Sequence, residues 1–235
     1  MKSKRTWTFS NLLLALVGFL FLASLSVVLV LNLRSIYYFD IDYLNLAEES
    51  GYSEEIIRDN YDALIDYNLI WKGVDELEFP DFPMSDEAAV HFREVKRIFV
   101  LLQILCPVTG VIFLIFLCRK MIARDYGSLK LISILTFAIP IILGAYAALN
   151  WETFFVQFHE LFFQNDYWLF NPITDPVILI LPDTFFAHCA AAILLILFAG
   201  GILTGVLHRL LTRKLRKSGR PSRTNSDEET EISYL

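Results

Sequence analysis

The sequence predicts an all-α membrane protein with four transmembrane helices and helical loops that form a cap at the outer membrane surface. Hydrophobic residues make up 55% of the 235 residues. Four apolar runs, at residues 11–33, 98–118, 129–149 and 185–207, reach the roughly 20 residues that a helix needs to cross the hydrocarbon core. We therefore expect one membrane domain over residues 1–217 and a disordered cytoplasmic tail over residues 218–235.

The charges are strongly segregated along the chain, although the net charge is only −6. Lysine and arginine gather before the first run, between the second and third runs, and after the fourth. The acidic residues gather in residues 40–94 and 150–183, and the latter segment has no lysine or arginine. The positive-inside rule then predicts that both termini are cytoplasmic and that the loops at 34–97 and 150–184 are extracytoplasmic.

Both outer loops have helical signals of their own. Ser53 is a typical N-cap, followed by acids in the first turn and by apolar residues at helical spacing. Ser85 begins a second helix that has no breaker before it enters the second apolar run. Aromatic residues at helical spacing over 151–162 predict a third helix, which lies along the membrane surface.

His91 is the first candidate for chemistry. Glu87 precedes it by four residues and Glu94 follows it by three, so the three side chains share one helical face. Nearby carboxylates raise the pKa of a histidine and fix which ring nitrogen is protonated. The alternative is an ordinary solvated helix face on which the histidine has no role.

His159 is the second candidate, inside the aromatic and irregular stretch 154–182. It borders the aromatic stripe and is therefore expected at the level of the lipid headgroups and glycerol. Asn165, Tyr167 and Trp168 follow it and are weaker candidates for positioning a substrate. A structural, stacked histidine is the alternative interpretation of His159.

His188 is a candidate of second rank. It lies about one turn inside the fourth apolar run, where an ionisable residue is a functional candidate by default. The simpler interpretation is that its ring donates a hydrogen bond to a backbone carbonyl.

Several kinds of chemistry lack their sequence signals. The chain has no GxSxG, HExxH or phosphate-loop motif, and no basic–aromatic surface typical of nucleic-acid binding. Cys106, Cys118 and Cys189 lie within the apolar runs without metal-ligand spacing, so we expect no disulfide, metal or cofactor. Histidine is the usual acid–base group near neutral pH. The two outer histidines suit proton transfer in a reaction whose substrate supplies its own nucleophile.

Two segments, SDEAAVHFREVKRIF at 85–99 and FHELFFQNDYWLFNPITDPVILILPDTFF at 158–186, resemble the bacterial lipoprotein intramolecular transacylase family of Gram-positive membrane proteins. The resemblance implies a four-span fold in the cell membrane, with membrane lipid and a diacylglyceryl-modified lipoprotein as partners. The implied reaction moves the sn-2 acyl chain of diacylglyceryl-cysteine to the α-amine of the same cysteine and gives the lyso-form. By motif position, the two histidines implicated in the family match His91 and His159.

Three questions stay open at this point. His159 is expected to be the general base, while His91 stabilises the oxyanion or protonates the leaving alkoxide, but the roles can be exchanged. A non-enzymatic sensor or assembly factor that binds lipid or peptide through its outer loops is the main alternative function. A metal-dependent hydrolase that uses both histidines with Glu87 and Glu94 is the third.

Overall fold

The chain is mainly α-helical over residues 6–218, which are the residues that the computed structural model describes. The helices are α1 Phe9–Asn32, α2 Ser35–Tyr43, α3 Leu46–Ser50, α4 Glu54–Asn68, α5 Asp86–Ile122, α6 Gly127–Leu149, α7 Trp151–Phe162, α8 Val177–Ile180 and α9 Asp183–Ser218, with a 3-10 turn at Ile70–Lys72. Four of them, α1, α5, α6 and α9, are long and apolar enough to cross a membrane. The predicted all-helical, multi-pass membrane protein is confirmed. The predicted disordered tail lies outside the described residues from residue 219 onward.

Two of the long helices extend well beyond the hydrocarbon core. α5 has 37 residues, which at 1.5 Å per residue is about 55 Å, against a core of about 30 Å. Its first three turns therefore project from the membrane at one end, and they include His91. α9 has 36 residues and projects at the opposite end, where its last turns contain Arg209, Arg213 and Lys214.

Small residues let two spanning helices approach closely. α1 packs mainly against α5, and α6 packs mainly against α9. A Cβ atom added at Gly201 would lie 2.6 Å from Oγ1 of Thr136, so only glycine fits this α6–α9 contact. Ser133 Oγ donates to the carbonyl of Gly201 at 2.9 Å, which ties the two helices across the same surface.

The segments between the long helices form a packed cap at one end of the bundle. We use the name cap for α2–α4, α7, α8 and the loops joining them to the first turns of α5 and α9. Tyr37 stacks on Tyr61 at 3.7 Å, and its hydroxyl donates to the carbonyl of Ile180 at 2.6 Å. This core joins the 34–97 and 150–184 segments, so the two loops hold each other in place.

The N-caps of the cap helices follow the sequence prediction. Ser53 Oγ accepts from the N–H of Ile56 at 3.4 Å, and Ser85 Oγ accepts from the N–H of Ala88 at 3.1 Å. The Ser85 N-cap fixes where α5 begins. It therefore also fixes the height of His91 above the membrane.

Candidate active site

α7 presents His159 from its last turn. The helix begins behind Asn150, whose side-chain oxygen accepts from the N–H of Thr153 at 2.9 Å. Nδ1 of His159 lies 2.7 Å from the carbonyl oxygen of Phe155. Because a carbonyl oxygen only accepts, Nδ1 is the donor, and the lone pair of the neutral ring is on Nε2. The backbone of α7 thus sets the tautomer that a general base at Nε2 needs.

Aromatic rings surround the half-buried His159 and remove water from it. The indole of Trp168 stacks on its ring at 4.6 Å, and the ring of Phe155 lies at 4.2 Å. This desolvation lowers the pKa of His159 below its ordinary value, although the contact with the Phe155 carbonyl acts in the opposite direction. At neutral pH the imidazole is therefore neutral and able to take a proton.

His91 faces His159 from the first turns of α5, before the membrane-spanning residues 98–118. The two ring centroids are 6.0 Å apart. The His91 side chain is 5% exposed, with the edges of Phe163 and Phe170 against it at 4.7 and 5.5 Å. Its Nδ1 is buried and has no hydrogen-bond partner within residues 6–218. One buried ring nitrogen is thus left for a group that the chain itself does not supply.

The predicted effect of Glu87 and Glu94 on His91 is wrong. Burial, with a smaller contribution from the neighbouring His159, lowers the pKa of His91 to about 4 instead of raising it. No hydrogen bond joins either carboxylate to His91 in the described part of the chain. Shared helical spacing placed the three residues on one face, but the aromatic loop covers His91, while Glu94 contacts Asn165 and Glu87 lines a neighbouring cavity.

Glu94 instead holds the loop that follows α7. Its two oxygens accept from the side-chain amide of Asn165 at 3.3 and 3.2 Å. The amide oxygen of Asn165 accepts from the N–H of Tyr167 at 3.2 Å, which shapes the turn before Trp168. Glu94 and Asn165 therefore act on the site indirectly, by orienting the segment that stacks on His159.

Glu87 lines a polar cavity of about 360 Å³ beside the site. Tyr167, Phe170 and Asp175 are among its other lining residues. Since the ring of Phe170 also contacts His91, this cavity adjoins the aromatic wall of the site.

Asp175 is a buried residue of the site region that the sequence did not single out. It is 3% exposed and accepts three hydrogen bonds: from the N–H of Ser85 at 2.7 Å, from Ser85 Oγ at 3.0 Å, and from Thr174 Oγ1 at 2.7 Å. It joins the start of α5, which carries His91, to the loop after α7. The only sequence signal was an acid directly before a proline, and its partner is 90 residues away.

His188 does not belong to this site. Its Nδ1 lies 2.8 Å from the carboxylate of Asp40, not from a backbone carbonyl. Phe186, two residues earlier on α9, contacts Phe155 at 5.8 Å on the His159 side. At about 100° per residue, His188 points to nearly the opposite side of the helix.

Two neutral imidazoles can supply a base and a hydrogen-bond donor. His159 offers a bare Nε2, and a neutral His91 has one N–H and one lone pair. Among residues 6–218, no group of three His, Cys, Asp or Glu side chains is arranged to hold a metal ion. The metal-dependent hydrolase interpretation therefore lacks its ligand set within this part of the chain, while proton transfer to and from a substrate fits the geometry.

Comparisons with known proteins give one consistent result. A family model described as lipoprotein intramolecular transacylase Lit matches residues 12–186. The in meso structure of the membrane integral lipoprotein intramolecular transacylase Lit from Bacillus cereus is 36% identical, with a TM-score of 0.85 over 88% of this chain and 96% of that chain. No curated protein sequence matches significantly.

Two further solved structures of the Bacillus cereus protein also match, each over 88% of this chain and 94% of that one. In the first a histidine is replaced by arginine, with 38% identity and a TM-score of 0.77. In the second a histidine is replaced by alanine, with 36% identity and a TM-score of 0.79.

Proposed function

This chain belongs to the lipoprotein intramolecular transacylase family, and we propose that it moves the sn-2 acyl chain of a diacylglyceryl-cysteine to the α-amine of the same cysteine. The product is the lyso-form lipoprotein, with an N-acyl chain and one remaining glycerol ester. The observation on which the proposal rests is the pair of desolvated imidazoles, His91 and His159, 6.0 Å apart where the cap meets the membrane.

His159 is the general base of the proposed reaction. The substrate α-amine has a reference pKa near 7.7–8.0, so a usable neutral fraction exists at pH 7. Its nitrogen attacks the sn-2 ester carbon, and Nε2 of His159 takes the N–H proton. When the carbon–oxygen bond breaks, the same proton passes to the leaving sn-2 oxygen, which becomes a hydroxyl group. Proton and acyl group both end on the substrate, and His159 returns to its neutral state.

His91 stabilises the oxyanion of the tetrahedral intermediate. A histidine whose pKa is about 4 is neutral at pH 7, so it is poorly suited to protonate an alkoxide as an imidazolium. A neutral ring N–H can still donate to the oxyanion, and the donation is strong in an aromatic site that excludes water. This favours the first of the two roles predicted for His91.

The remaining work of the enzyme is to hold one substrate molecule in a reactive shape. Nucleophile and ester belong to the same molecule, and well-oriented intramolecular reactions gain up to about 7–11 kcal/mol. Trp168 orients the His159 ring, Asn165 and Glu94 hold the Trp168 loop, and Glu87 and Tyr167 line the adjacent cavity. The proposed steps need no metal or cofactor.

The site faces the extracytoplasmic side of the cell membrane in this proposal, and both termini are cytoplasmic. Arg119, Lys120 and Arg124 lie at the end of the bundle away from the cap, as do the basic residues in the last turns of α9. This distribution follows the positive-inside rule. The cap is then at the membrane surface where mature lipoproteins are displayed.

Mass spectrometry of a reporter lipoprotein tests the proposal. The reporter is purified from a host that makes only diacylglyceryl-lipoprotein, with and without this chain, and its N-terminal peptide is fragmented. We expect an isobaric conversion from diacylglyceryl-cysteine to N-acyl-monoacylglyceryl-cysteine, visible only in the fragment ions. A reporter that stays diacylglyceryl-cysteine, while the protein is present in the membrane, contradicts the proposal and favours the sensor or assembly-factor alternative.

A further inference from the structure

A second histidine centre lies on the other side of α9. Asp40, on α2, is completely buried, and its carboxylate accepts from Nδ1 of His188 at 2.8 and 3.0 Å. Within residues 6–218 no other hydrogen bond or ion pair reaches this carboxylate. A buried carboxylate with one imidazole partner orients that ring firmly, and Nε2 of His188 has no hydrogen-bond partner in the described part of the chain.

His188 faces a groove of about 570 Å³ between α2 and α9. One face of α2 forms its wall, and its lining residues are Ser35, Ile36, Phe39, Asp40 and Tyr43. The rings of Phe39 and Tyr43 stack at 5.3 Å and are 62% and 61% exposed. Since α2 directly follows the first span and His188 lies near the cap end of α9, the groove opens to lipid at the depth of headgroups and glycerol.

We propose that this groove binds a neutral diacylglycerol, with its acyl chains on the aromatic wall and its free hydroxyl at Nε2 of His188. A hydroxyl group both donates and accepts, so it pairs with Nε2 in either protonation state of the ring. A fully ionised phosphate has no hydrogen to donate, so it pairs only with the protonated ring, and any phosphate anion is repelled by the Asp40 carboxylate. No lysine or arginine lines the groove to offset that repulsion. The proposal does not depend on the proposed acyl transfer, because α9 separates the two centres.

Photolabelling tests the proposal on the purified full chain in phosphatidylcholine nanodiscs. The probe is a diacylglycerol with a diazirine in one acyl chain. The competitors are unlabelled diacylglycerol, its 3-acetyl ester, which lacks only the hydroxyl, and phosphatidic acid. We expect labelling within residues 35–43 and the first turns of α9. We expect the acetyl ester to compete roughly tenfold or more weakly than diacylglycerol, since it has lost the hydrogen bond to Nε2 of His188.

A double variant isolates the polar end of the groove. Asp40→Leu with His188→Phe replaces both partners by apolar side chains of similar shape, a change that costs the fold less than removing one partner and leaving the other unpaired. On this variant, diacylglycerol and its acetyl ester should compete equally well with the probe. The matched control is Asp42→Asn, an exposed acid on the same helix, which should behave as the native chain.

Three results would overturn the proposal. Equal competition by diacylglycerol and its acetyl ester on the native chain would mean annular lipid only, with a purely structural Asp40–His188 pair. Phosphatidic acid that competes as well as diacylglycerol would assign the groove to phosphate headgroups. If diacylglycerol still competes better than its acetyl ester on the double variant, the hydroxyl group is recognised elsewhere. If the double variant fails to fold, the comparison of the two lipids on the native chain still decides.

Discussion

The molecule has two histidine centres at the same end of its helical bundle, and they differ in what surrounds the imidazole. His91 and His159 face each other among aromatic rings, and within residues 6–218 no carboxylate is hydrogen-bonded to either ring. His188 is held by the buried carboxylate of Asp40. Without an anion beside it, a desolvated imidazole stays neutral and can act as a base. The ring beside the carboxylate has a fixed orientation and a groove in front of it. In our two proposals, the same residue type therefore serves proton transfer in one place and recognition in the other.

The two histidine centres should differ most in what the loss of their histidine does to the rate of acyl transfer. His159→Ala should lower the rate of acyl transfer by about 10²–10⁴-fold, the usual contribution of a general base. His208→Gln is the matched control, because Nδ1 of His208 also contacts a backbone carbonyl, that of Tyr126 at 2.8 Å, but away from the cap. Both are measured by reporter mass spectrometry at equal protein levels. Full activity of His159→Ala in purified protein would remove this residue from the mechanism.

The pH dependence of the rate of acyl transfer shows whether the catalytic base has a carboxylate partner. As the pH falls, the substrate α-amine is protonated first, below about 7.7–8.0, and the logarithm of the rate should fall with a slope of 1. Because desolvation lowers the pKa of His159, this residue stays neutral until the pH is below 6.5, and only there should the slope become 2. Initial rates in mixed micelles from pH 5 to 9 provide the profile. A second break above pH 6.5 would indicate a base stabilised by a nearby anion, contrary to the structure.

Removing the Asp175 carboxylate tests how strongly the His91–His159 site depends on the loop that follows α7. Asp175→Ala removes the acceptor of the N–H and hydroxyl groups of Ser85, which should lower the free energy of unfolding by about 1–3 kcal/mol. We expect activity to fall by roughly tenfold, since His91 and the loop are no longer held together and a misplacement of 1 Å can cost a factor of a hundred. Thermal unfolding in micelles and reporter conversion are measured together. Asp75→Ala, an exposed acid of the other cap loop, is the control and should change neither.

The smallest effect is expected at Glu94. Glu94→Gln keeps an oxygen that accepts from Asn165, so the rate should change by less than about threefold. The pH values at which the rate falls on the acidic side of the profile should stay the same, because Glu94 does not hydrogen-bond His91. If Glu94→Gln moves this fall in rate to lower pH, the carboxylate does act on a histidine, as its helical spacing first indicated.

The sequence determined the number of membrane-spanning helices and the local starts of helices. An apolar run of about 20 residues has few alternatives to a membrane-spanning helix. N-caps such as Ser53 and Ser85 act within three residues, so they too can be recognised from the sequence alone. The segments around His91 and His159 were also distinctive enough to indicate the family that the later comparisons established.

Only the tertiary structure decided the partner of each titratable side chain. Spacing on α5 favoured Glu87 and Glu94 as neighbours of His91, but rings from a distant loop cover it. Asp40 and His188 are 148 residues apart and still form a hydrogen-bonded pair. Helical periodicity fixes which residues share a face of one helix. What meets that face depends on how other segments pack, and that packing sets the burial and hydrogen bonds from which the chemistry follows.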